Sequence, residues 1–510
     1  MEIELKLLIP ASGIEALRAD PLLTVARGAR KSRKRLDNIY FDTPDRALAT
    51  LHIGLRLRKD GRRWLQTVKS GGSAQSGLHQ REEIEFAVAG KALEWAQLSG
   101  TVVKAVLGPL AQRLTPQFRT LFTRDIRLLR GPSGAEIELA IDQGEIIAGS
   151  RRAPICEVEL ELKSGSVDYL FEVALELAER HPLVLCNRSK AERGNELAQA
   201  LPPGPPVKAA PLQFALQTDA PTIARLAIEN CTGQWQANET GYLAQLSGDG
   251  YDSEYLHQLR VGVRRLRVAC DPLARLAGWH AETLAAVKAP LRRLGQQLGA
   301  ARDWDVFVEE IWPTLNEALD NPAARTVLRE AIDLQRDLAH RQARAALASR
   351  ETQRALLLLS RCLATDSQPE VDNQQGERRF NALNRQLDDY YRKLSTGQDK
   401  LETLSPERRH ALRITAKKLR YLTEFMASRY SRRDSVELVQ RWLTWLKKAQ
   451  DSLGGRNDHT TAAARIEMLA KSVTKRDRKK GQVKRALLRG LDACKWPELD
   501  LGPLPSPYWR

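Results

Sequence analysis

The chain opens with an alternation of charged and apolar residues that is typical of a β-strand. The polar side carries Glu2, Glu4 and Lys6, and the opposite side carries isoleucine and leucine. The same alternation recurs in four later segments, at residues 55–58, 81–86, 136–142 and 157–162. If these strands share one sheet, their polar faces form a surface dense in both charge signs. The pattern predicts an antiparallel, β-rich α+β domain with interleaved helices.

A proline-rich stretch at residues 202–206 divides the chain into two parts with different patterns. Prolines without packing partners form a stiff, extended connector. After this stretch the helical period of apolar residues dominates. We therefore predict a β-rich domain over 1–201, a linker over 202–213 and an all-α domain over 214–500.

The helical part contains an internal repeat. The segment His257–Arg267 matches His410–Arg420, and the block Leu298–Asp303 matches Leu453–Asp458. The two offsets are nearly equal, at 153 and 155 residues. Matched blocks in the same order predict two related helical bundles.

Composition and charge narrow the class of function. The chain has 510 residues and 42% hydrophobic content, which is enough for more than one packed domain. No apolar run approaches the roughly 20 residues of a membrane helix, and we predict no secretory signal, so we expect a cytoplasmic protein without a membrane partner. The net charge is +17, of which +13 falls after residue 201, and this favours anionic partners. An aromatic content of 6% and no recognisable nucleic-acid module argue against a specific nucleic-acid partner.

The mixed charges of the first part suit phosphate chemistry. Crowded carboxylates repel one another, and a divalent cation with oxygen ligands, Mg²⁺ or Mn²⁺, relieves that repulsion. Arg and Lys bind phosphate oxygens, and phosphoryl transfer uses both metal and cations. A single charged strand face is more often simply solvated, but recurrence on five segments favours a site. Because no nucleophile–base arrangement is evident, we expect metal-activated water to attack the phosphorus.

Five motifs in this part resemble, in order, those of the CYTH family, the triphosphate tunnel metalloenzymes. They are Glu2-x-Glu4-x-Lys6, Tyr40-Phe41-Asp42-Thr43, Leu55-Arg56-Leu57-Arg58, Thr67-x-Lys69 and Glu157-x-Glu159-x-Glu161. The resemblance covers about residues 1–200. It implies an eight-stranded antiparallel barrel with an open polar lumen, which hydrolyses triphosphates with Mg²⁺ or Mn²⁺.

The resemblance also implies roles for individual residues. The implied metal ligands are Glu2, Glu4, Glu157 and Glu159, the last two from a strand facing the first across the lumen. The implied phosphate-binding residues are Lys6, Arg56, Arg58, Lys69, Arg81, Arg124, Lys190 and Arg193. The expected catalytic residues are Glu2, Glu4, Lys6, Arg56, Arg58, Lys69 and Lys190, with Lys190 closing on the substrate. The individual roles stay open for Glu83, Glu85, Glu138, Asp142 and Glu161, and Asp142 also suits a turn before Gly144.

The repeat places a basic stripe on one side of a helix and an apolar stripe on the other, in both copies. This part resembles the CHAD family, the conserved-histidine α-helical domain, over about residues 215–500. The resemblance implies two four-helix bundles with a basic cavity that binds inorganic polyphosphate. The candidate residues are His257, Arg260, Arg264, Arg265, His410, Arg413, Lys417, Lys418 and Arg420.

These observations lead to the hypothesis of a bacterial inorganic triphosphatase, a hydrolase acting on phosphoric anhydrides. Inorganic triphosphate would be the substrate, and polyphosphate would bind the helical domain. One alternative is that the same tunnel hydrolyses thiamine triphosphate or cyclises ATP, with Trp64 or Tyr40 contacting the organic group. Another alternative is a non-catalytic, polyphosphate-binding scaffold.

Overall fold

The structure, a computed structural model, describes residues 2–24, 31–75, 77–98, 102–200, 204–244, 251–364, 373–430, 433–473, 480–494 and 500–509. It divides into two compact units. The first contains Met1–Gly204 and Ala348–Asp366, and the second contains Pro205–Leu347 and Ser367–Arg510. The boundary at Gly204 falls within the predicted linker, of which Pro202 and Pro203 lie outside the described residues.

The first unit is built around a closed antiparallel barrel. Its strands are β1 Glu2–Leu8, β2 Lys31–Asp42, β3 Gly54–Asp60, β4 Arg63–Gln75, β5 Leu78–Val88, β6 Thr115–Arg130, β7 Glu136–Ala148, β8 Arg151–Ser164 and β9 Val184–Leu185. Among the described residues, the order β1-β5-β4-β3-β2-β6-β7-β8 closes when β8 pairs again with β1. The short β9 adds to β1. The predicted eight-stranded barrel is confirmed.

Helices cover part of the outer wall of the barrel. They are α1 Ile14–Arg18, α2 Pro21–Thr24, α3 Ala47–Thr50, α4 Val102–Leu107, α5 Val167–Arg180 and α6 Lys190–Gln199. The longest, α5, begins after the N-cap Ser166 and buries Leu170, Phe171 and Leu177. Its apolar face joins one core with Leu5, on the outward side of β1. The apolar half of the β1 alternation is thus buried outside the barrel, and the charged half turns into the lumen.

The described residues from 220 to 494 are mostly helical. Their helices are α7 Ala220–Ala244, α8 Ser253–Ala269, α9 Pro272–Leu276, α10 Ala281–Val306, α11 Trp312–Glu317, α12 Pro322–Leu347, α13 Arg350–Ala364, α14 Asn373–Gln398, α15 Pro406–Met426, α16 Arg433–Val473 and α17 Lys480–Ala493. A π-helical turn, Phe307–Ile311, joins α10 to α11. Of these helices, α13 belongs to the barrel unit.

The two repeats form two groups of packed helices in the second unit. Helix α8 packs on α7 and α10, and α10 packs on α12; in the second repeat α15 packs on α14 and α16, and α16 packs on α17. Close approach of α7 and α8 depends on Gly262, where a Cβ would lie 2.9 Å from the backbone nitrogen of Trp235. The predicted all-α fold is confirmed. Within the described residues, no helix combines the length and apolar character needed to cross a bilayer.

Candidate functional site

The lumen of the barrel contains a cavity of about 560 Å³ lined mainly by charged side chains. The sequence-predicted residues that line it are Glu2, Glu4, Lys6, Arg56, Arg58, Lys69, Arg81, Arg124, Glu159 and Lys190. Glu83, Glu85, Glu138 and Glu161, whose roles were left open, line it as well. The strand alternation therefore selected the inward faces correctly.

The prediction that β8 faces β1 across the lumen is wrong. The two strands are hydrogen-bonded neighbours, and Glu4 pairs in register with Glu161 and Lys6 with Glu159. The carboxylates of β1 and β8 consequently lie side by side on one wall of the barrel. The alternation fixes which face a side chain takes, but it carries no information on strand order.

One end of this wall is a compact charge cluster around Glu159. The Lys6 ammonium lies 2.7 Å and the Lys190 ammonium 3.0 Å from Glu159 Oε1, and Arg124 Nη2 lies 2.5 Å from Oε2. Burial alone would raise the pKa of Glu159, but Lys190, Lys6 and Arg124 hold it well below its usual value. Glu159 is thus ionised at neutral pH although it is only 7% exposed.

Asp142 joins this cluster from β7. Its carboxylate accepts a hydrogen bond from Arg124 Nη2 at 2.6 Å and lies 2.7 Å from Lys190 Nζ. Asp142 is fully buried and is in register with Glu157 of β8. Sequence reasoning left Asp142 between a tunnel residue and a turn residue. Its parity with Glu138 along the same strand was the signal that favoured the lumen.

The described residues contain a group of carboxylates that fits a divalent metal. Oxygen atoms of Asp142, Glu157 and Glu159 all lie within 4.8 Å of one another, and all three residues are buried. Hard carboxylate oxygens at this spacing are the donors that Mg²⁺ and Mn²⁺ accept. Lys190 also contacts Glu157, so its ammonium lies among all three carboxylates. Of the four implied metal ligands, Glu157 and Glu159 belong to this group.

Glu2 lies in a second cluster near the other end of β1. Lys69 Nζ lies 2.5 Å from Glu2 Oε2 and 3.4 Å from Glu83 Oε2, and Arg56 lies 3.5 Å from Glu83. Burial raises the pKa of Glu2 to about 7, with Lys69 opposing and the carboxylates of Glu4 and Glu83 adding to the rise. Glu4 lies between the clusters, with its carboxylate 3.4 Å from Lys6 Nζ.

Positive charge is in excess on the β3 side of the lumen. Burial and the neighbouring guanidinium groups of Arg56 and Arg124 lower the pKa of Arg58 to about 10. Arg58 donates from Nε to Asn38 Oδ1 at 3.0 Å and lies 3.8 Å from the nearest carboxylate oxygen, on Glu85. Buried cations that repel one another form a favourable place for a polyanion.

The late basic residues are fixed by the start of α6. Ser189 is the N-cap of this helix, and its capping box with Glu192 places Lys190 at the first helical position. Arg193 Nη1 donates to Glu157 Oε2 at 2.9 Å. Arg81 lies 3.5 Å from Glu192. Arg193 thus binds Glu157, a member of the buried carboxylate group, and is not among the described lining residues of the cavity.

The second unit contains a basic cavity of about 580 Å³ to which both repeats contribute. Its charged and aromatic lining residues are Arg260, Arg264, Arg267, Asp271, Lys288, Arg292, Tyr390, His410, Lys417, Lys418 and Tyr421. Burial and the neighbouring Arg264 lower the pKa of Arg260 to about 10. The predicted basic stripes of α8 and α15 thus meet at one concave surface.

The other predicted residues of the repeats lie outside the described lining of this cavity. Arg265 is buried, donates to Gln234 at 3.0 Å, and lies 3.7 Å from Glu424. Arg420 donates to the same Glu424 at 2.8 Å. Burial lowers the pKa of His257, and the nearby arginines lower it further. The remaining member, Arg413, packs against Gly454, where a Cβ would lie 3.2 Å from its Nη2. The side chains of Asn457 and Asp458 lie outside the described residues.

A closed barrel with a charged lumen, followed by a helical region with a basic cavity, defines a two-domain architecture. Residues 1–194 match the family model of the CYTH domain, and residues 226–467 match that of the CHAD domain. The chain thus carries a CYTH domain followed by a CHAD domain, and both resemblances are confirmed.

Several known proteins are similar to parts of this chain. An inorganic triphosphatase from Haemophilus influenzae is 38% identical over 199 residues, which cover 38% of this chain and 54% of that protein. The match thus spans about half the length of this curated relative. Among solved structures, the CHAD domain of the plant Ricinus communis is 25% identical, covers 58% of this chain and 99% of its own, and has a TM-score of 0.41. A Hippeastrum protein described as having a dominant triphosphatase activity is 18% identical, covers 38% and 96%, and has a TM-score of 0.30.

Proposed function

We propose that the CYTH domain hydrolyses inorganic triphosphate to pyrophosphate and phosphate with the help of Mg²⁺ or Mn²⁺. One observation carries the proposal: carboxylates and guanidinium groups line the same lumen, and Glu159 joins this lining to the buried carboxylate group of Asp142 and Glu157. The curated relative that resembles this domain is an inorganic triphosphatase, which supports the same reaction class.

In this proposal the carboxylates bind the metal and the cations bind the phosphates. Asp142, Glu157 and Glu159, with Glu4 beside them, would hold the metal, and Glu2 is a further implied ligand. When bound, such a metal neutralises phosphate charge and lowers the pKa of water. Lys190, Lys6 and Arg124 hold the pKa of Glu159 well below its usual value and so keep this carboxylate able to bind a metal.

The guanidinium groups would bind the triphosphate chain. Burial and the neighbouring guanidinium groups of Arg56 and Arg124 lower the pKa of Arg58, and bound phosphate oxygens would relieve the repulsion among these groups. Lys190 has two possible anionic partners, the carboxylate group and a phosphate of the substrate. As the P–O bond breaks, negative charge builds up on phosphate oxygens. Cations that are already fixed in place stabilise this charge without having to reorganise.

The lining favours an inorganic substrate over thiamine triphosphate or ATP. Among the described residues, Tyr40 and Phe122 are the aromatic lining groups. Tyr40 is only 6% exposed and stacks on Phe118 with ring centroids 4.6 Å apart, so its ring is already used in packing. Trp64 is absent from the lining described and has Lys91 over its ring at 5.8 Å. An organic group would find few apolar contacts in this lumen.

The test is phosphate release from a panel of triphosphate, thiamine triphosphate, ATP and pyrophosphate, with Mg²⁺, Mn²⁺ or chelator. We expect metal-dependent release that is fastest with triphosphate, and a loss of roughly a hundredfold or more in Glu4→Gln. The exposed Glu172→Gln on α5 is the matched control and keeps full rates. Absence of metal-dependent release from every substrate would contradict the enzymatic proposal.

We further propose that the CHAD cavity binds inorganic polyphosphate. Its lining gathers cations from α8, α10 and α15, and burial together with repulsion from the neighbouring Arg264 lowers the pKa of Arg260. A phosphate chain relieves this repulsion along its length, and the binding should weaken with salt.

Charge reversal tests the polyphosphate site. Arg260→Glu and Lys417→Glu should each weaken polyphosphate binding about ten- to a hundredfold in a filter-retention assay, because each replaces attraction by repulsion. Triphosphate turnover should stay at the wild-type rate. Arg441→Glu, an exposed position on α16 that pairs with Glu437, is the matched control. If both cavity variants retain polyphosphate as tightly as this control, the cavity is not the binding site.

A further inference from the structure

Helix α13 lies inside the region that matches the CHAD domain, yet it packs in the barrel unit. It follows α12, a helix of the other unit, after only two intervening residues. Leu357 of α13 is 1% exposed and joins the core formed by α5 and β1. Two arginines of α13 form ion pairs with α5 beside this contact. Arg354 pairs with Glu179 at 2.6 Å, and Arg361 pairs with Asp168 at 2.9 Å and with Glu172 at 3.1 Å. The barrel unit therefore includes a helix from beyond its own stretch of sequence.

One polar contact of α13 reaches the backbone of the barrel. Gln353 is 2% exposed, and its Oε1 accepts a hydrogen bond from the backbone N–H of Leu185 at 2.9 Å. Leu185 belongs to β9, whose pairing with β1 is only two residues long. A strand this short has few ladder hydrogen bonds, so each additional bond matters to its position.

The segment after β9 leads directly to the lumen. The backbone N–H of Cys186 donates to the carbonyl of Lys6 at 3.0 Å, and the Cys186 carbonyl lies 3.0 Å from His79 Nε2. Asn187 Oδ1 accepts from the Gly77 N–H at 2.5 Å. Two residues later Ser189 caps α6, and Lys190 begins that helix.

Lys190 depends on this path for its position. Its ammonium must reach oxygens of Asp142 and Glu159 at 2.7 and 3.0 Å from a backbone that is fixed by β9 and the cap. Of the bonds just described along this path, the one from Gln353 is contributed from outside residues 1–204. Loss of the acceptor for this partly buried N–H favours local opening of the segment. Displacement of about 1 Å at a reacting group costs up to a hundredfold in rate.

We propose that Gln353, on α13, is a positioning residue for Lys190 in the triphosphate tunnel. The catalytic part of this inference rests on the proposed triphosphatase function, while its structural part does not. The CYTH site is thus completed by a residue from the CHAD-matched stretch of the chain.

Hydrogen exchange in the full-length protein tests the structural part. Gln353→Met keeps the length of the side chain and removes the acceptor, Gln353→Glu keeps an acceptor oxygen, and Glu351→Gln alters an exposed position on the same helix. In Gln353→Met, peptides covering 184–190 should exchange roughly tenfold faster than in the wild type. Gln353→Glu should recover most of the protection, and Glu351→Gln should match the wild type. Unchanged exchange in Gln353→Met overturns the proposal.

A double-mutant cycle tests the catalytic part. Gln353→Met should lower kcat/KM for triphosphate about tenfold, and Lys190→Met about a hundredfold. If Gln353 acts through Lys190, adding Gln353→Met to Lys190→Met should change kcat/KM less than twofold. A further tenfold loss in the double variant would show a general structural effect and overturn the proposal.

The two assays separate this inference from the proposed function. If the wild type releases no phosphate but 184–190 opens in Gln353→Met, the triphosphatase proposal fails and the positioning of Lys190 stands. If turnover is present and exchange is unchanged, the positioning fails and the triphosphatase proposal stands.

Discussion

The two cavities of this molecule have nearly the same volume, about 560 and 580 Å³, but opposite charge organisation. In the barrel, carboxylates and cations alternate and pair, as around Glu159. In the helical unit, cations from both repeats share the lining described with one carboxylate, Asp271, which itself contacts Lys288. A lumen with paired charges can hold a metal and a phosphate together. A cavity with surplus cations can bind a phosphate chain but offers few metal ligands.

The largest expected effect comes from breaking the charge pairing in the barrel. In Glu159→Gln, Lys6, Lys190 and Arg124 lose a shared carboxylate, so buried cations repel and the metal group loses an oxygen. We expect kcat/KM for triphosphate to fall by about a thousandfold or more, measured by phosphate release.

A neighbour on the same strand provides the matched comparison. Glu161→Gln changes a carboxylate that pairs with Lys163 at 2.6 Å and has a more exposed side chain. Its kcat/KM should fall less than tenfold. Equal losses in both variants would mean that the cluster around Glu159 has no special role.

The sequence predicts the faces of these sites better than their neighbours. The alternation alone predicted that Glu4 and Lys6 share the inward face of β1, because side-chain direction is a local property of a strand. The adjacency of β1 and β8 depends on residues about 150 positions apart in the chain, and no local pattern encodes it. This is why the expectation of facing strands failed.

In the helical unit, too, the sequence predicts the local partners of charged residues but not their tertiary partners. Both Arg265 and Arg420 belong to the basic repeat, and Arg420 has an i,i+4 partner, Glu424, that the sequence displays. That Arg265 reaches the same carboxylate from another helix is a tertiary fact. The position of α13 in the barrel unit is similar, because its helical pattern does not tell which core receives its apolar face.

A partly buried carboxyl in the helical unit, that of Glu239, contrasts with Glu159. Burial raises the pKa of Glu239 to about 7, and the hydrogen bond from Trp235 Nε1 at 3.0 Å offsets this only in part. The unfolded carboxyl ionises near 4.5, so the folded protein retains a proton between the two values and the free energy of unfolding falls as pH rises from 4.5 to 7. Glu159, held below its usual pKa by cations, contributes with the opposite sign.

Replacing the Glu239 carboxyl should remove its contribution to the pH dependence of the free energy of unfolding. Glu239→Gln keeps an acceptor for Trp235 and cannot ionise. At pH 8 we therefore expect its free energy of unfolding, measured by urea denaturation, to exceed that of the wild type by about 1–2 kcal/mol. At pH 5 the difference should nearly vanish. Glu282→Gln, exposed on α10, should leave the midpoint unchanged at both pH values. If the difference in free energy of unfolding between Glu239→Gln and the wild type is the same at pH 5 and pH 8, the raised pKa is contradicted.

The smallest expected effect compares the two repeats within the helical unit. Gly299 and Gly454 occupy equivalent helical positions, but a Cβ would lie 3.6 Å from Arg260 Nε at the first and 3.2 Å from Arg413 Nη2 at the second. Alanine favours a helix over glycine by roughly 0.5–1 kcal/mol. Gly299→Ala should therefore raise the thermal midpoint, whereas Gly454→Ala should gain less because the guanidinium must move. Equal midpoint shifts would mean that Arg413 adapts without cost, and the two repeats would then be equivalent in packing although they differ in their contribution to the cavity.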